Sequence, residues 1–313
     1  MNDSAPDLAI SVRGVSKKYG DFTAVDNLSF DVRRGEIFAM LGPNGAGKTT
    51  TIRMILDILK PDTGSIEVLG GPITEATKAR IGYLPEERGL YHNVRVLDML
   101  VYLGQLKGLS GTEARARALS LLEHVGLAEN ARSKVKELSK GMQQKVQVIA
   151  TILHRPDLII IDEPFSGLDP VNTEMVKDLL YEMNREGVTI IMSTHQMHQI
   201  EEMADRLLMI NRGRAVLYGD VHEVRQRFAK NAVIVEGEGD WAALPGVKAV
   251  EAGENGRDVL LRLADNVTPD EVMAALATSP AYRIRRFELA VPSLNEIFIE
   301  VVGGVRANGS SGG

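Results

Sequence analysis

Up to about residue 228, short aliphatic runs alternate with longer segments of helical period. Three of the runs are mostly apolar, which is typical of strands buried on both faces of a sheet: 36–41, 158–162 and 188–194. Between the last two, apolar side chains recur at helical spacing, with Asp169 or Pro170 at the start and Gly187 at the end. The pattern predicts strand–helix–strand units and an α/β domain with a largely parallel sheet.

The pattern changes from about residue 231. Shorter runs there predict a strand, a short helical piece near "WAALPG", two strands joined across "GENG", a helix with Pro269 near its start, and a last strand. This is the β-α-β-β-α-β order of a small ferredoxin-like domain. A terminal helix follows, with Ser293 as its N-cap and Glu296 in the capping-box position.

These changes divide the chain into three predicted segments. Residues 1–228 form an α/β domain, residues 229–303 form a small α+β accessory domain, and residues 304–313, which end in "ANGSSGG", form a flexible tail. The accessory region shows no catalytic constellation. A packing or regulatory role is the simplest expectation for it.

The composition describes an ordinary globular chain, with 313 residues of which 44% are hydrophobic and 25% charged. The longest aliphatic runs fall far short of the roughly 18 residues of a membrane-spanning helix, and the start "MNDSAPDLAI" is unlike a secretory signal. Zero cysteines exclude disulfides and thiolate metal sites. A net charge of −6 argues against nucleic-acid binding over a broad face, so we expect no nucleic-acid partner and only local phosphate recognition.

The stretch "GPNGAGKTT" fits the phosphate-loop pattern GxxxxGK[ST], after a predicted strand and at the start of a predicted helix. Glycines let backbone N–H groups turn inward around a polyphosphate, while Lys48 reaches the terminal phosphates and the Thr49 hydroxyl ligates Mg²⁺. A glycine turn with a purely structural role is the alternative. The residues predicted to contact the nucleotide here are Gly42, Pro43, Asn44, Gly45, Ala46, Gly47, Lys48, Thr49 and Thr50.

Two carboxylates, Asp162 and Glu163, end the apolar run in "LIIIDEP". Asp162 is placed to hold Mg²⁺ through water, and Glu163 to polarise an attacking water. Such acids would be costly to bury without a cation or donors, although a pair of surface acids is the alternative. Because no guanine-reading NKxD segment is present, we expect adenine as the base.

Taken in order, "GPNGAGKTT", "LSKGMQQK", "LIIIDEPFSGLDP" and "STH" resemble the motifs of ABC transporter ATP-binding subunits, over about residues 8–228. The resemblance implies a P-loop NTPase, an ABC-type ATPase with a helical subdomain, that binds and hydrolyses ATP with Mg²⁺. The additional C-terminal domain is similar to that of export-type subunits. Efflux is therefore expected rather than import.

The resemblance also assigns roles by matching position. Tyr19 would stack on adenine, with a half-buried strand tyrosine as the alternative. His195 would contact the γ-phosphate and join Glu163 and Lys48 as a catalytic residue, although an isolated histidine is more often structural. Residues 166–169 would form the loop that passes between the two sites of a dimer, with Asp169 near the nucleotide.

One departure from the family pattern is Glu86, which stands where a glutamine commonly follows "YLP". A carboxylate there can still approach Mg²⁺ or the attacking water, so Glu86 is a candidate metal ligand together with Thr49 and Asp162. It also adds negative charge near the nucleotide.

A second departure lies in "LSKGMQQK", where Lys140 and Met142 replace a glycine and a glutamine of the family pattern LSGGQ. In the family two subunits, identical or different, meet head to tail, so that each ATP lies between the phosphate loop of one and this stretch of the other. Ser139 and Gly141 would contact that ATP at the start of a helix. Lys140 would add an electrostatic contact instead of being an ordinary surface charge.

A polytopic membrane permease is the implied partner, contacted near residues 91–108, and the implied location is the cytoplasmic face of the cell membrane. One alternative is a soluble ABC-type ATPase acting on ribosomes or DNA, but such proteins typically carry two of these domains or a long coiled-coil insertion. A non-catalytic regulatory module is another alternative. The complete phosphate loop and the acid pair oppose it, and only Glu86 favours it.

Overall fold

A computed structural model describes residues 7–87, 89–253 and 256–308 of the chain. The structure divides into two compact units, residues 1–221 and 222–313. The domain limits inferred from the sequence, with a boundary after residue 228, remain a prediction. Among the described residues no helix combines the length and the apolar character that a bilayer crossing needs.

The first unit is built around two sheets. Its strands are β1 (Leu8–Tyr19), β2 (Phe22–Arg33), β3 (Ile37–Leu41), β4 (Thr63–Val68), β5 (Ile81–Leu84), β6 (Leu158–Asp162), β7 (Thr189–Thr194), β8 (Arg206–Asn211) and β9 (Arg214–Asp220). Its helices are α1 (Lys48–Ile55), α2 (Glu75–Ala79), α3 (Val96–Leu106), α4 (Gly111–His124), α5 (Lys140–Ile152), α6 (Pro170–Arg185) and α7 (Met197–Met203), and α8 (Val221–Arg227) follows at the junction.

The larger sheet has the strand order β5-β6-β7-β3-β8-β9. Its first five strands are parallel and β9 is antiparallel to β8. Every residue of β3, β6 and β7 is buried, because strands covered on both faces are apolar throughout. The predicted parallel α/β architecture is confirmed, and the carboxyl ends of these three neighbouring strands meet at one edge.

A smaller antiparallel sheet, β2-β1-β4, packs on the larger one. Phe30 stacks on Phe38 with ring centroids 5.7 Å apart. Arg206 forms an ion pair with Glu36 at 3.1 Å and lies over the rings of Phe38 and Tyr218. Burial raises the pKa of Glu36, and Arg206 opposes that rise. This contact fixes the β1–β2 hairpin against the strands that carry the site.

Helices α3, α4 and α5 form a helical layer beside the larger sheet, with Ala114, Ala118 and Leu122 of α4 fully buried. Helix α5 begins at the N-cap Ser139, whose hydroxyl accepts from the Met142 amide. Buried glutamines of α5 donate to loop carbonyls, as Gln143 does to Leu138 at 3.1 Å. These bonds fix the position of the helix start.

The second unit is a four-stranded antiparallel sheet with helices. Its elements are β10 (Ala232–Glu238), a single 3₁₀ turn (Trp241–Ala243), β11 (Val247–Ala252), β12 (Asp258–Leu263), α9 (Pro269–Thr278), β13 (Arg283–Leu289) and α10 (Leu294–Asn308). The strand order β11-β12-β10-β13 is that expected for the predicted ferredoxin-like domain. Part of the predicted "GENG" turn lies outside the described residues.

The terminal helix has the predicted N-cap. The Ser293 amide donates to Glu296 at 2.7 Å, and the Glu296 amide donates back to the Ser293 hydroxyl at 3.2 Å. Residues 304–308, part of the predicted flexible tail, are helical in the structure. A well-capped helix without an internal proline can propagate through them.

Candidate functional site

A cavity of about 410 Å³ lies at the edge where β3, β6 and β7 end. The phosphate loop, residues 42–50, follows β3, the acid pair ends β6, and His195 follows β7. The residues that line the cavity are Tyr19, Phe22, Ala24, Asn44, Gly45, Ala46, Gly47, Lys48, Thr49, Thr50, Glu86, Asp162, Glu163, Ser166 and His195. Residues from five separate parts of the sequence therefore meet here.

The phosphate loop depends on glycine at two close approaches of backbone. A Cβ at Gly47, whose φ is 111°, would lie 2.5 Å from the Ala24 carbonyl oxygen. A Cβ at Gly42 would lie 2.2 Å from the Ile210 carbonyl oxygen. Gly42 and Pro43 do not line the cavity, but their carbonyls accept hydrogen bonds from Lys48.

Lys48 is buried at the start of α1. Its ammonium donates to the Gly42 carbonyl at 2.7 Å and to the Pro43 carbonyl at 3.3 Å. Burial lowers the pKa of Lys48, while the charges of Glu163, Asp162 and Glu86 oppose that fall. A buried cation with only carbonyl partners is well suited to an anion that enters the cavity.

Backbone amides add to this anion preference. The N–H groups of Gly45 and Gly47 have no hydrogen-bond partner among the described residues. Helix α1 has no side-chain cap, so its first amides, from residues that line the cavity, have no side-chain partner at the N-cap. Amides and a lysine directed at one space form a phosphate-sized cradle.

Asp162 lies beside Thr49, whose hydroxyl donates to its Oδ2 at 3.1 Å. Ser193, on the next strand, donates to the other carboxylate oxygen. No group of three or more acidic, histidine or cysteine side chains in the described part of the chain could hold a metal ion by itself. A hydroxyl and one carboxylate fit a Mg²⁺ ion that keeps waters and substrate phosphate oxygens as its other ligands.

Glu163 adopts a left-handed backbone conformation, with φ of 55°, which residues other than glycine rarely adopt. Its Oε2 accepts from the Thr194 hydroxyl at 2.9 Å. Its Oε1 lies 2.8 Å from Nδ1 of His195 and accepts from the His195 amide at 3.2 Å. The Glu163 carboxylate is buried, and its donors are Thr194, the last residue of β7, and the next residue, His195. The two predicted catalytic side chains, Glu163 and His195, are therefore in direct contact.

The opposite wall is aromatic. Tyr19 and Phe22 face each other across the hairpin turn between β1 and β2, and both are largely exposed. Sequence reasoning identified Tyr19 but not Phe22, Ala24 or the lining position of Ser166. The turn sequence "YGDF" was the available signal, because paired residues of a tight hairpin lie on the same face.

Besides Gly42 and Pro43, four predicted residues do not line the cavity: Asp169, Ser139, Lys140 and Gly141. Three of them mark the start of α5, where Ser139 and Lys140 are exposed. Asp169 caps α6 by accepting from the Asn172 amide at 2.9 Å. Asn172 also packs on Gly141, where a Cβ would lie 3.1 Å from its Nδ2. The starts of α5 and α6 therefore form a second, separate group.

Comparison with known proteins places these features in context. A family profile described as ABC transporter matches residues 25–166. A second profile, described as ATP-binding protein DrrA1-3-like, C-terminal domain, matches residues 219–302.

Individual relatives match nearly the whole chain. The uncharacterized ABC transporter ATP-binding protein YhaQ of Bacillus subtilis is 42% identical over 95% of this chain and 99% of its own length. The daunorubicin resistance ATP-binding protein DrrA3 of Streptomyces coeruleorubidus is 34% identical over 94% of this chain and 90% of its own. A solved ATP-binding subunit of an ABC transporter is 32% identical, with a TM-score of 0.65 over 71% of this chain and 93% of its own.

Proposed function

This chain belongs to the ABC transporter family as an ATP-binding, ATP-hydrolysing subunit, and from that membership we propose that it drives export by a separate membrane permease. The observation that carries the proposal is the single cavity that joins the phosphate loop, the Thr49–Asp162 pair and the Glu163–His195 pair. A relative named for daunorubicin resistance supports the outward direction, since removal of a drug is one way to resist it.

The two ends of the cavity have different chemistry, and ATP matches both. Lys48 and the amides of Gly45 and Gly47 would bind the β- and γ-phosphates. At the other end the exposed rings of Tyr19 and Phe22 would cover the faces of the adenine base. Pro43, Asn44, Ala46 and Thr50 complete the loop and set the shape of its backbone.

Thr49 and Asp162 are the residues that would hold Mg²⁺, with Glu86 at the same cavity as a further carboxylate. When bound, the ion would neutralise phosphate charge. Asp162 is kept in place by donors from both α1 and β7, so its orientation does not depend on the ion.

Glu163 would act as the general base. Its carboxylate would take a proton from the water that attacks the γ-phosphate, while the bond from the γ-phosphorus to the bridging oxygen breaks to give ADP and phosphate. Thr194 fixes one oxygen of Glu163, and His195 approaches the other. His195 is largely exposed and is therefore free to turn toward a terminal phosphate.

The start of α5 would complete the site of a second subunit, either another copy or a close relative. Ser139, Lys140 and Gly141 lie away from the cavity of their own chain but offer a hydroxyl, an ammonium and a helix N-terminus at the surface. Asp169, linked to Gly141 through Asn172, would lie at the same junction.

The permease would contact the exposed apolar side chains around α3, at the cytoplasmic face of the membrane. Tyr91 and Tyr102 are about half exposed and pack edge to face, with centroids 6.3 Å apart. Leu106 is 64% exposed, beside a cavity of about 250 Å³ between β5, α3 and α5. Exposed aromatic and aliphatic groups around a concavity are typical of an interaction surface.

The decisive experiment is Glu163→Gln, measured in the purified chain. We expect turnover to fall at least roughly 100-fold, because the general base is removed, while ATP binding remains and an ATP-bound dimer accumulates. Glu186→Gln, a change at an exposed position outside the cavity, is the control and should leave turnover unchanged. Near-normal ATPase activity in Glu163→Gln would show that another group is the base.

The partner is tested separately by copurification from membranes. A polytopic membrane protein should copurify with the wild-type chain and be lost on Leu106→Arg, with ATPase activity of the isolated chain retained. Recovery of ribosomes or DNA in place of a membrane protein would favour the alternative of a soluble ABC-type ATPase.

A further inference from the structure

Helix α6 contains a buried lysine, Lys177, that does not line the nucleotide cavity. Only 3% of this residue is exposed, whereas lysines are almost never fully buried unless they are paired. Its ammonium lies 2.9 Å from a carboxylate oxygen of Glu174, one turn earlier on the same helix, and forms a second ion pair with Glu202. Because Glu202 belongs to α7, Lys177 joins two helices.

A second bond from α6 reaches the same turn of α7. The hydroxyl of Tyr181 donates to the Glu202 carbonyl at 3.2 Å. Tyr181 follows Lys177 by four residues, so both side chains project from one face of α6. The last turn of α7 is thus bonded to α6 through a side chain and a main-chain group.

Helix α7 is the element that follows His195 in the chain. The start of this segment is fixed, because the His195 amide donates to Glu163 at 3.2 Å. Helix α7 itself has no side-chain bond at its N-cap, and Ile200 and Met203 bury its apolar face. Apolar packing is non-directional, whereas a charge-assisted hydrogen bond fixes both distance and direction. The ion pair to α6 therefore contributes a directional contact that fixes where α7 lies.

We propose that Lys177 is a positioning residue for ATP hydrolysis. Through Glu202 it holds α7, and α7 in turn sets the position of His195 beside Glu163. The effect of Lys177 on the reaction is indirect, since its side chain lies outside the nucleotide cavity. The inference rests on the proposed function, in which His195 contacts the γ-phosphate during hydrolysis.

The two partners of Lys177 provide a matched pair of variants. Glu202→Ala removes the carboxylate on α7, and Glu174→Ala removes the one on α6 itself, so each variant leaves Lys177 with one ion pair. Both glutamate side chains are at least half exposed, and alanine is a good helix former, so neither change disturbs a core.

Phosphate release by the purified full-length chain gives kcat, and titration with a fluorescent ATP analogue gives Kd. We expect Glu202→Ala to lower kcat about five- to tenfold with Kd unchanged, because a misplaced catalytic side chain slows the chemical step. Glu174→Ala should keep both values, because the link from Lys177 to α7 remains.

A double-mutant cycle shows whether the effect passes through His195. Glu202→Ala is combined with His195→Ala, and hydrolysis of radiolabelled ATP is followed so that low rates remain measurable. Once the imidazole is absent, Glu202→Ala should lower kcat by less than about twofold. Urea denaturation of each variant measures stability separately, because a merely structural ion pair would lower the free energy of unfolding without this non-additivity.

The proposal is overturned if Glu202→Ala keeps the wild-type kcat, if Glu174→Ala loses as much, or if Glu202→Ala lowers kcat by the same factor with and without His195. Lys177→Met is the direct change, but it also removes a buried charge from between two carboxylates and so lowers stability. The exposed glutamates keep the test decisive. Failure of the proposed function would instead show as near-normal activity of Glu163→Gln.

Discussion

The N-termini of helices α1 and α5, both in the first unit, are the two predicted phosphate contacts. They differ in how much of a binding site surrounds them within one chain. Helix α1 begins inside a walled cavity, with Lys48 buried and with no side chain capping its amides. Helix α5 begins at the surface, where Ser139 already caps the Met142 amide. In the proposed function, the first is an anion site built by one chain, and the second would be only one wall of a site shared with a partner subunit.

The difference shows what a helix N-terminus contributes. The partial positive charge of the helix dipole is similar at both starts, but it acts over the first turn only and is weakened by exposure to water and salt. At α1 the cavity walls include the buried Lys48 and the acids Asp162 and Glu163. At α5 the proposed partner subunit would supply the walls.

The largest effect is expected at α1. Lys48→Ala should lower turnover by roughly 100- to 1,000-fold and weaken ATP binding, because a buried, preorganised cation is removed. Titration with a fluorescent ATP analogue and a phosphate-release assay measure the two effects. Lys60→Ala, at a largely exposed lysine paired with Asp57, is the control, and an equal loss there would contradict the assignment.

The next effect separates the two helix starts. Ser139→Ala should lower turnover roughly 10- to 100-fold, the value of a hydrogen bond to a charged group, while nucleotide binding to the isolated chain stays unchanged. Ser110, the N-cap of α4, makes the same kind of bond to the Glu113 amide, so Ser110→Ala loses a cap of about 1 kcal/mol in the same way. If both variants lost turnover equally, the effect would be one of helix stability.

A third prediction concerns the far end of α5. His154 contacts the Ile81 carbonyl through Nε2 at 3.2 Å, while its Nδ1 has no partner among the described residues. Burial, and then the charge of Lys107, lower the pKa of His154 to about 4. The unfolded chain, with a histidine pKa near 6.5, therefore binds more protons between these values, and stability falls as pH drops through this window.

Urea denaturation at pH 7 and pH 5 measures this effect. The wild type should lose about 1 to 2 kcal/mol more than His154→Gln on acidification, since the imidazole retains some contact with solvent. His92→Gln, at an exposed histidine, should follow the wild type. A His154→Gln variant with the full wild-type pH dependence would show that other groups account for it.

The smallest effect is expected for Lys140. Lys140→Ala should raise the ATP concentration needed for dimerisation by about two- to fivefold and reduce its salt sensitivity, as removal of one exposed charge from a helix terminus implies. Sedimentation in low and high salt measures both quantities. Lys136→Ala is the matched control, and identical behaviour of the two variants would return Lys140 to the role of a surface charge.

Much of the fold could be predicted because its signals are local. The three predicted apolar strands correspond to β3, β6 and β7. The helix predicted to start at Asp169 or Pro170 is α6, with Asp169 as its N-cap and Pro170 as its first residue. The strand–helix order and the Ser293–Glu296 cap of the second unit were also correct. Membership of the ABC transporter family, inferred from four motifs, is confirmed.

The remaining features depend on contacts between distant residues. Phe22 joins the cavity only because the β1–β2 hairpin folds over the phosphate loop. The sequence "LIIIDEP" does not predict the left-handed backbone of Glu163, because glutamate rarely adopts this conformation. The conformation goes with hydrogen bonds from the neighbouring strand, such as that from the Thr194 hydroxyl.

The separation of the α5 start from the chain's own cavity has a consequence for symmetry. A twofold pair of identical chains would contain two composite sites, each taking its phosphate loop from one chain and its α5 start from the other. In a mixed pair of a Lys48→Ala chain and a Ser139→Ala chain, both defects fall in one composite site and the other site is intact. Two chains that each fail alone would thus complement each other by geometry, which no arrangement with a complete site in each chain allows.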